Sequence, residues 1–267
     1  MHDLAPSPSR GAAATDRADH ALVPFFLLTI ALTIPFWVLG AVSGLQLLPG
    51  LPVAALAAFC PAAAAAILVD RRRGAAGVLA LLKRSVDLRL TLWLAPTLLL
   101  MPLVMALSYG LQRLVGEPVP PPQITLSSAA VLVVVTLVAA LGEELGWSGY
   151  AIDPMQARWG ALAAALGMGA FWAAYHFAGL AQAHRSVLWI AEWTVGTVAL
   201  RVIITWLYNN TGGSVLTAAL FHMTINVTWL LFPVAGSHYD PGVTSAILAV
   251  VAALVVVGWG PRTLVRT

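Results

Sequence analysis

Two adjacent glutamates, Glu143 and Glu144, lie in the stretch LVAALGEELGWSGY, at the end of an apolar run of a chain in which only 9% of residues are charged. A carboxylate in or near hydrocarbon costs about 2.5 to 3.5 kcal/mol on insertion scales, which makes it a functional candidate by default. Two more polar sets sit in apolar surroundings. FWAAYHF places Trp172 and His176 at i and i+4 on one helical face, and FHMTINV places His222 and Asn226 at the same spacing. A single histidine in a membrane helix commonly serves as hydrogen-bonding glue between helices, and either set alone is a weak signal. Three sets on separate apolar segments point to convergence, because each polar group needs a partner and the others are the nearest supply.

Brought together, such residues support hydrolysis by either of two routes. A carboxylate withdrawn from bulk water is a competent general base; beside it, histidine can hold the attacking water and asparagine can donate to a developing oxyanion. Two imidazoles and a carboxylate, from His176, His222 and Glu143, also match a catalytic zinc site with water as its fourth ligand. No HExxH helix, the best-known signature of such a site, is present. A serine nucleophile has less support, since no GxSxG turn exists and Ser214, after NNTGG, reads as a helix N-cap. A lone cysteine, Cys60, excludes an intrachain disulfide and a cysteine-based metal cluster.

Composition dictates the elements that must carry these residues. With 60% hydrophobic residues and a mean hydropathy of +0.88, the chain has more apolar surface than a soluble core could hide, so it is an integral membrane protein. Segments of about 20 apolar residues, enough to span, run over Ala21 to Gly40, Leu51 to Val69, Leu92 to Leu111, Thr125 to Tyr150, Ala161 to Gly179, Val187 to Tyr208, Ser214 to Pro233 and Gly242 to Gly258. Irregular backbone cannot face lipid, so the expected fold is all-α, a polytopic membrane helical bundle of about eight transmembrane helices. Residues 1–20 mix Pro, Ser, Ala and charges and are expected to be a disordered cytoplasmic tail, leaving residues 21–260 as a single transmembrane bundle. Arg71, Arg72, Arg73, Lys83, Arg84 and Arg89, with Arg10, Arg17, Arg158, Arg262 and Arg266, fall on one side, which predicts that both termini are cytoplasmic. The basic balance then reflects topology and anionic lipid headgroups, not nucleic acid.

Depth constrains the site. Hydropathy alone ends the fourth span at Leu141 and leaves the glutamates at the surface, whereas His176 lies about 22 Å along the next span. Extending the fourth helix through Tyr150 buries Glu143 by about two turns and narrows that gap.

The run EELGWSGY, then WxxxH, then WLYNNTGGSVLTAALFHMTIN, resembles the CPBP family, the bacterial relatives of type II CAAX prenyl endopeptidases, also called the Abi group. The likeness covers residues 142–226. It implies an eight-span intramembrane peptidase of the bacterial plasma membrane, multi-pass, whose glutamate activates a water and whose active site opens toward the cytoplasm. Carried over by position, Glu143 is the base, His176 places the water, Glu144 is the second glutamate of the motif, and His222 with Asn226 stabilises the oxyanion. The family carries both a metalloprotease label and a metal-free glutamate mechanism, so no cofactor is required on one view and zinc on the other. The implied partners are membrane lipid and a hydrophobic or lipidated peptide substrate.

One departure bears on Glu144. The family's first motif is EExxxR, and the arginine position is Ser148 here. An arginine there would lie one helical turn from Glu144; serine supplies a hydrogen bond but no charge. Arg201, the one arginine placed within a span, is expected to fill that place from the sixth span, because two unpaired intramembrane charges cost more than one pair. The substitution also motivates one alternative, a non-catalytic membrane scaffold or immunity protein keeping the cluster for binding; the buried carboxylates themselves fit another, a proton-coupled transporter using the glutamates as a relay.

Overall fold

In the computed structural model, which describes residues 10–48, 51–87 and 92–266, nine α-helices succeed one another among the described residues. They are α1 (Arg10–Ser43), α2 (Cys60–Lys83), α3 (Leu94–Leu114), α4 (Leu126–Gly146), α5 (Ile152–Trp159), α6 (Ala161–Gln182), α7 (Val187–Asn210), α8 (Val215–Leu231) and α9 (Pro241–Trp259). Among the described residues seven helical segments are long and apolar enough to cross a membrane, and α8 is a shorter apolar helix. The expected all-α membrane bundle is what forms. One short hairpin, β1 (Gln46–Leu48) with β2 (Leu51–Pro52), joins the first two spans.

Side-chain caps start four of the helices. Thr125, Ser186, Ser214 and Asp240 accept from the backbone N–H of Ser128, Trp189, Thr217 and Val243, which satisfies donors that a helix start leaves without an intrahelical partner. Ser214 is thus the N-cap its position after NNTGG suggested. The second span departs from expectation at both ends. It opens with a tight 3-10 turn over Val53–Phe59 before Pro61 admits the α-helix, since proline fits the first turn, where its missing N–H is not needed. It then runs on past Val69 to Lys83, carrying Arg71, Arg72 and Arg73 on a helix instead of a loop and bending at Gly74, whose φ of 62° suits glycine. At the N-terminus α1 takes in residues 10–20, the second half of the stretch expected to be a tail; residues 1–9 lie outside the described residues.

Short connections at residues 183–186 and 211–214 fold α6, α7 and α8 into consecutive antiparallel hairpins. α4 packs between α2 and α8, and α7 between α6 and α9. The contact of α4 with α2 and the 3-10 turn before it is built on GEELG, in which Gly142 and Gly146 flank the glutamates. A Cβ on Gly142 would stand 2.8 Å from the Ala58 carbonyl, and one on Gly146 would stand 2.5 Å from the Pro61 Cβ. Small residues four apart let membrane helices approach backbone to backbone. The glycines thereby turn one face of α4 to α2 and the adjacent glutamates into the bundle.

α4 does not stop at the glutamates. A π-helical turn over Trp147–Ala151, in which the Ile152 N–H reaches the Trp147 carbonyl, carries the chain into α5, so one continuous segment extends from Leu126 to Trp159. Gly160, at a φ of 78°, then reverses the chain into α6. Extension beyond Tyr150 places Glu143 well inside the helical segment, where it meets Trp172 of α6, one turn before His176. A single wide turn of this kind re-aims the side chains on either side of it and is frequent at functional sites.

On an open helical face, Gly146→Ala would stabilise by about 0.8 to 1 kcal/mol through helix propensity. Against Pro61 the same change is expected to destabilise by about 1 to 3 kcal/mol, read as a lower melting temperature of the solubilised protein. A higher melting temperature would show that α2 is not held against α4 in this way.

Candidate active site

Glu144 is fully buried, and both its oxygens are engaged. Arg201 of α7 reaches it with a fork, Nη1 to Oε2 at 2.9 Å and Nη2 to Oε1 at 3.0 Å. His222 Nδ1 donates to Oε1 at 3.1 Å, and Ser148, one turn along, donates to Oε2. An acceptor-only carboxylate satisfies all of these donors at once. The cation that EExxxR would place at residue 148 therefore comes from α7, with the serine completing the shell. Arg201 is itself buried, its guanidinium lying 4.4 Å from the ring centroid of Trp172.

Glu143 is buried and asymmetric. Its Oε2 accepts from Trp147 Nε1 at 3.0 Å and from Trp172 Nε1 at 2.7 Å. Its Oε1 faces His222 Nε2 at 4.0 Å. Because a carboxylate accepts, the bond to Glu144 assigns the proton of a neutral His222 to Nδ1 and leaves the Nε2 lone pair directed at Glu143. With His222 in that neutral form, two acceptors oppose each other across a gap too long for a direct hydrogen bond. Trp147 is held for its task by ring contacts with Phe25 of α1 and with Phe171 and Tyr175 of α6. Trp172 meets three site residues: its N–H goes to Glu143, its face to Arg201 and its ring against His222 at 5.0 Å.

His176 and Asn226 stand one turn further along α6 and α8, in the same direction, because two antiparallel hairpins make those helices parallel. His176 is half-buried; its Nδ1 pairs with the Trp172 carbonyl at 2.8 Å, and its ring packs against Trp172, Tyr175 and Trp193. A carbonyl only accepts, so neutral His176 also keeps its proton on Nδ1 and its lone pair on Nε2. The Asn226 side chain makes no hydrogen bond among the described residues. Glu143, Glu144 and His222 are thus drawn together, while His176 and Asn226 border them. The three residues considered for zinc do not assemble: among the described residues no three His, Cys, Asp or Glu side chains are arranged to hold a metal ion.

The Glu143 to Trp147 contact is one that sequence reading missed, although its i, i+4 spacing is a signal that could have found it. Spacing did not carry Trp172 as the second donor to Glu143, since WxxxH names the face of α6 and not its target.

Comparison with known proteins places the same segment in context. Residues 125–228 match the family model for Type II CAAX prenyl endopeptidase Rce1-like. CAAX prenyl protease 2 of Methanococcus maripaludis is 31% identical over 99 residues, which is 34% of this chain and 36% of that protein. The match therefore spans about a third of the relative's length. Both findings bear out the resemblance to the CPBP family carried by the motifs.

Removing one partner of a buried ion pair strands the other, at a cost of about 3 to 5 kcal/mol. Arg201→Leu is expected to lose stability on that scale in thermal unfolding, and Arg201→Lys, which keeps the charge but not the fork, to lose less. Arg201→Leu combined with Glu144→Leu should recover much of the loss. A double variant as unstable as the sum of the two single ones would show that the pair is not coupled.

Proposed function

We propose that the protein is an intramembrane endopeptidase in which Glu143 activates water against a peptide bond of a membrane-associated, hydrophobic or lipidated substrate. The observation that carries this reading is the opposition of Glu143 Oε1 and His222 Nε2 at 4.0 Å. A water there can donate one O–H to each acceptor, with its oxygen lone pair turned to a substrate carbonyl. Family likeness over residues 125–228 supports the same class of chemistry.

The residues divide the work. Glu143 Oε1 takes a proton from the water as its oxygen bonds to the carbonyl carbon, and the carbonyl electrons move onto oxygen. The two indole N–H groups hold Oε2 and leave Oε1 to act as the base. Glu144 orients His222 through Nδ1, and Arg201 holds Glu144. The Asn226 amide, one turn beyond His222, donates to the oxyanion, and His176 offers Nε2 as a further acceptor for the water. When the intermediate collapses, the C–N bond breaks and Glu143 returns its proton to the leaving nitrogen. Acid–base assistance of this kind accounts for about 10² to 10⁴ in rate, and preorganised donors add to it.

Ser148 was the reason to weigh a scaffold or immunity role. Arg201 supplies the charge that Ser148 lacks, so the substitution no longer argues for an inert site. The site opens toward the cytoplasm, as the family likeness implies, in a multi-pass membrane protein oriented by the Lys and Arg bias.

Glu143→Gln keeps an acceptor for the indoles and loses the base. It should lower cleavage of a reporter membrane peptide by about 10² to 10⁴-fold at unchanged expression, and comparing membrane peptides from cells with either form would identify substrates. Full activity of this variant would sink the proposal. Activity should also survive strong zinc chelators; loss on chelation with recovery on added zinc would replace the base mechanism with a metal one.

A further inference from the structure

Arg84 follows the basic residues Arg71, Arg72, Arg73 and Lys83, whose ordinary role is topogenic, yet its side chain is only 31% exposed. It lies in the short 3-10 turn Arg84–Val86 that follows α2. Its Nη1 donates to the Gly149 carbonyl at 2.5 Å, and its Nη2 to the Tyr208 hydroxyl at 2.5 Å and to the Gly213 carbonyl at 3.1 Å. Tyr208 in turn donates to Asp153 Oδ2 at 2.9 Å, and that oxygen lies 3.8 Å from Arg84 Nη2. These partners belong to the segments that carry the site. Gly149 is in the π turn just after the two glutamates, Tyr208 is two turns beyond Arg201 on α7, and Gly213 leads into α8 and His222.

We infer that Arg84 is a positioning residue for the hydrolysis proposed above: its guanidinium locks the π turn to the ends of α7 and α8 and so fixes Glu143 and Glu144 relative to Arg201 and His222. The inference rests on that peptidase reading. One planar group with donors in a fixed fork can satisfy acceptors from three elements together, which a lysine ammonium on a flexible stem cannot do with the same geometry. Arg84 does not touch the reacting groups. It lines a separate cavity of about 590 Å³ with Asp153, Tyr208, Asn209, Gly213 and Arg262, on the side where these helices end.

The test uses the full-length protein in bilayer discs and a reporter membrane peptide. Arg84→Ala should lower kcat by about 10- to 100-fold, the scale of a displacement near 1 Å in a reacting constellation, with KM unchanged. Arg84→Lys should recover part of the loss, as should methylguanidinium added to Arg84→Ala, because the cavity admits it. Lys83→Ala, which removes the neighbouring exposed charge, should leave both constants unchanged. Unchanged kcat in Arg84→Ala beside an active wild type overturns the inference, and so does a rise in KM alone, which would make Arg84 a substrate contact. A wild type that cleaves nothing fails the peptidase reading separately. Hydrogen exchange then decides the positioning: faster exchange of amides 146–153 and 211–216 in Arg84→Ala is expected, and equal rates overturn it.

Discussion

Glu144 sets the geometry on which the other site residues depend. Its carboxylate enters the bundle interior with one oxygen shared by Arg201 and His222 and the other by Arg201 and Ser148. Charge-assisted, two-point pairing is the arrangement that offsets desolvation of both ions. Over an apolar substitute the net gain in stability of such a pair is small, and its larger effect here is orientational. Three helices, α4, α7 and α8, meet at one side chain, and the bond to His222 Nδ1 decides which nitrogen of that ring faces Glu143. The apparent vacancy left by serine in EExxxR is thereby filled from a helix more than fifty residues away in sequence.

Glu143 depends on the same arrangement from the other side. Trp172 touches Glu143, Arg201 and His222 at once, so the two carboxylates are not independent sites. Their donors set them apart: indoles on one oxygen of Glu143, a cation fork on Glu144. Close packing of Gly142 and Gly146 on α2 brings both into the interior. The π turn then lets the helix continue past them into α5. Local backbone, glycine packing and charge pairing agree on one geometry, the consistency across levels expected of a specified structure.

Much of this was legible beforehand, for identifiable reasons. Spans could be read because hydrocarbon admits only satisfied backbone, and caps such as Ser214 because helix starts demand acceptors. The pairing of Arg201 with Glu144 could be anticipated from the cost of two isolated buried charges. Arg84 could not. Among Arg71, Arg72, Arg73 and Lys83 it looks like one more topogenic charge, and only the turn after α2 brings it under Gly149, Tyr208 and Gly213. The second span was misjudged at both ends because hydropathy registers apolarity and not backbone geometry: a 3-10 turn is as apolar as a helix, and a basic run on a helix as polar as a loop.

The amino-acid sequence by itself determined the solvent, the helical class, the residue types of the site and the pairs that share a face, since all of these follow from composition and the 3.6-residue period. Periodicity states which way a side chain points along its own helix; it carries no information on the depth, rotation or approach of the next one. Those were decided by tertiary structure, through glycine contacts, the π turn at Trp147–Ala151 and the Arg201 fork. They are why His222 lies opposite Glu143, and why His176 and Asn226 border the carboxylates instead of joining them.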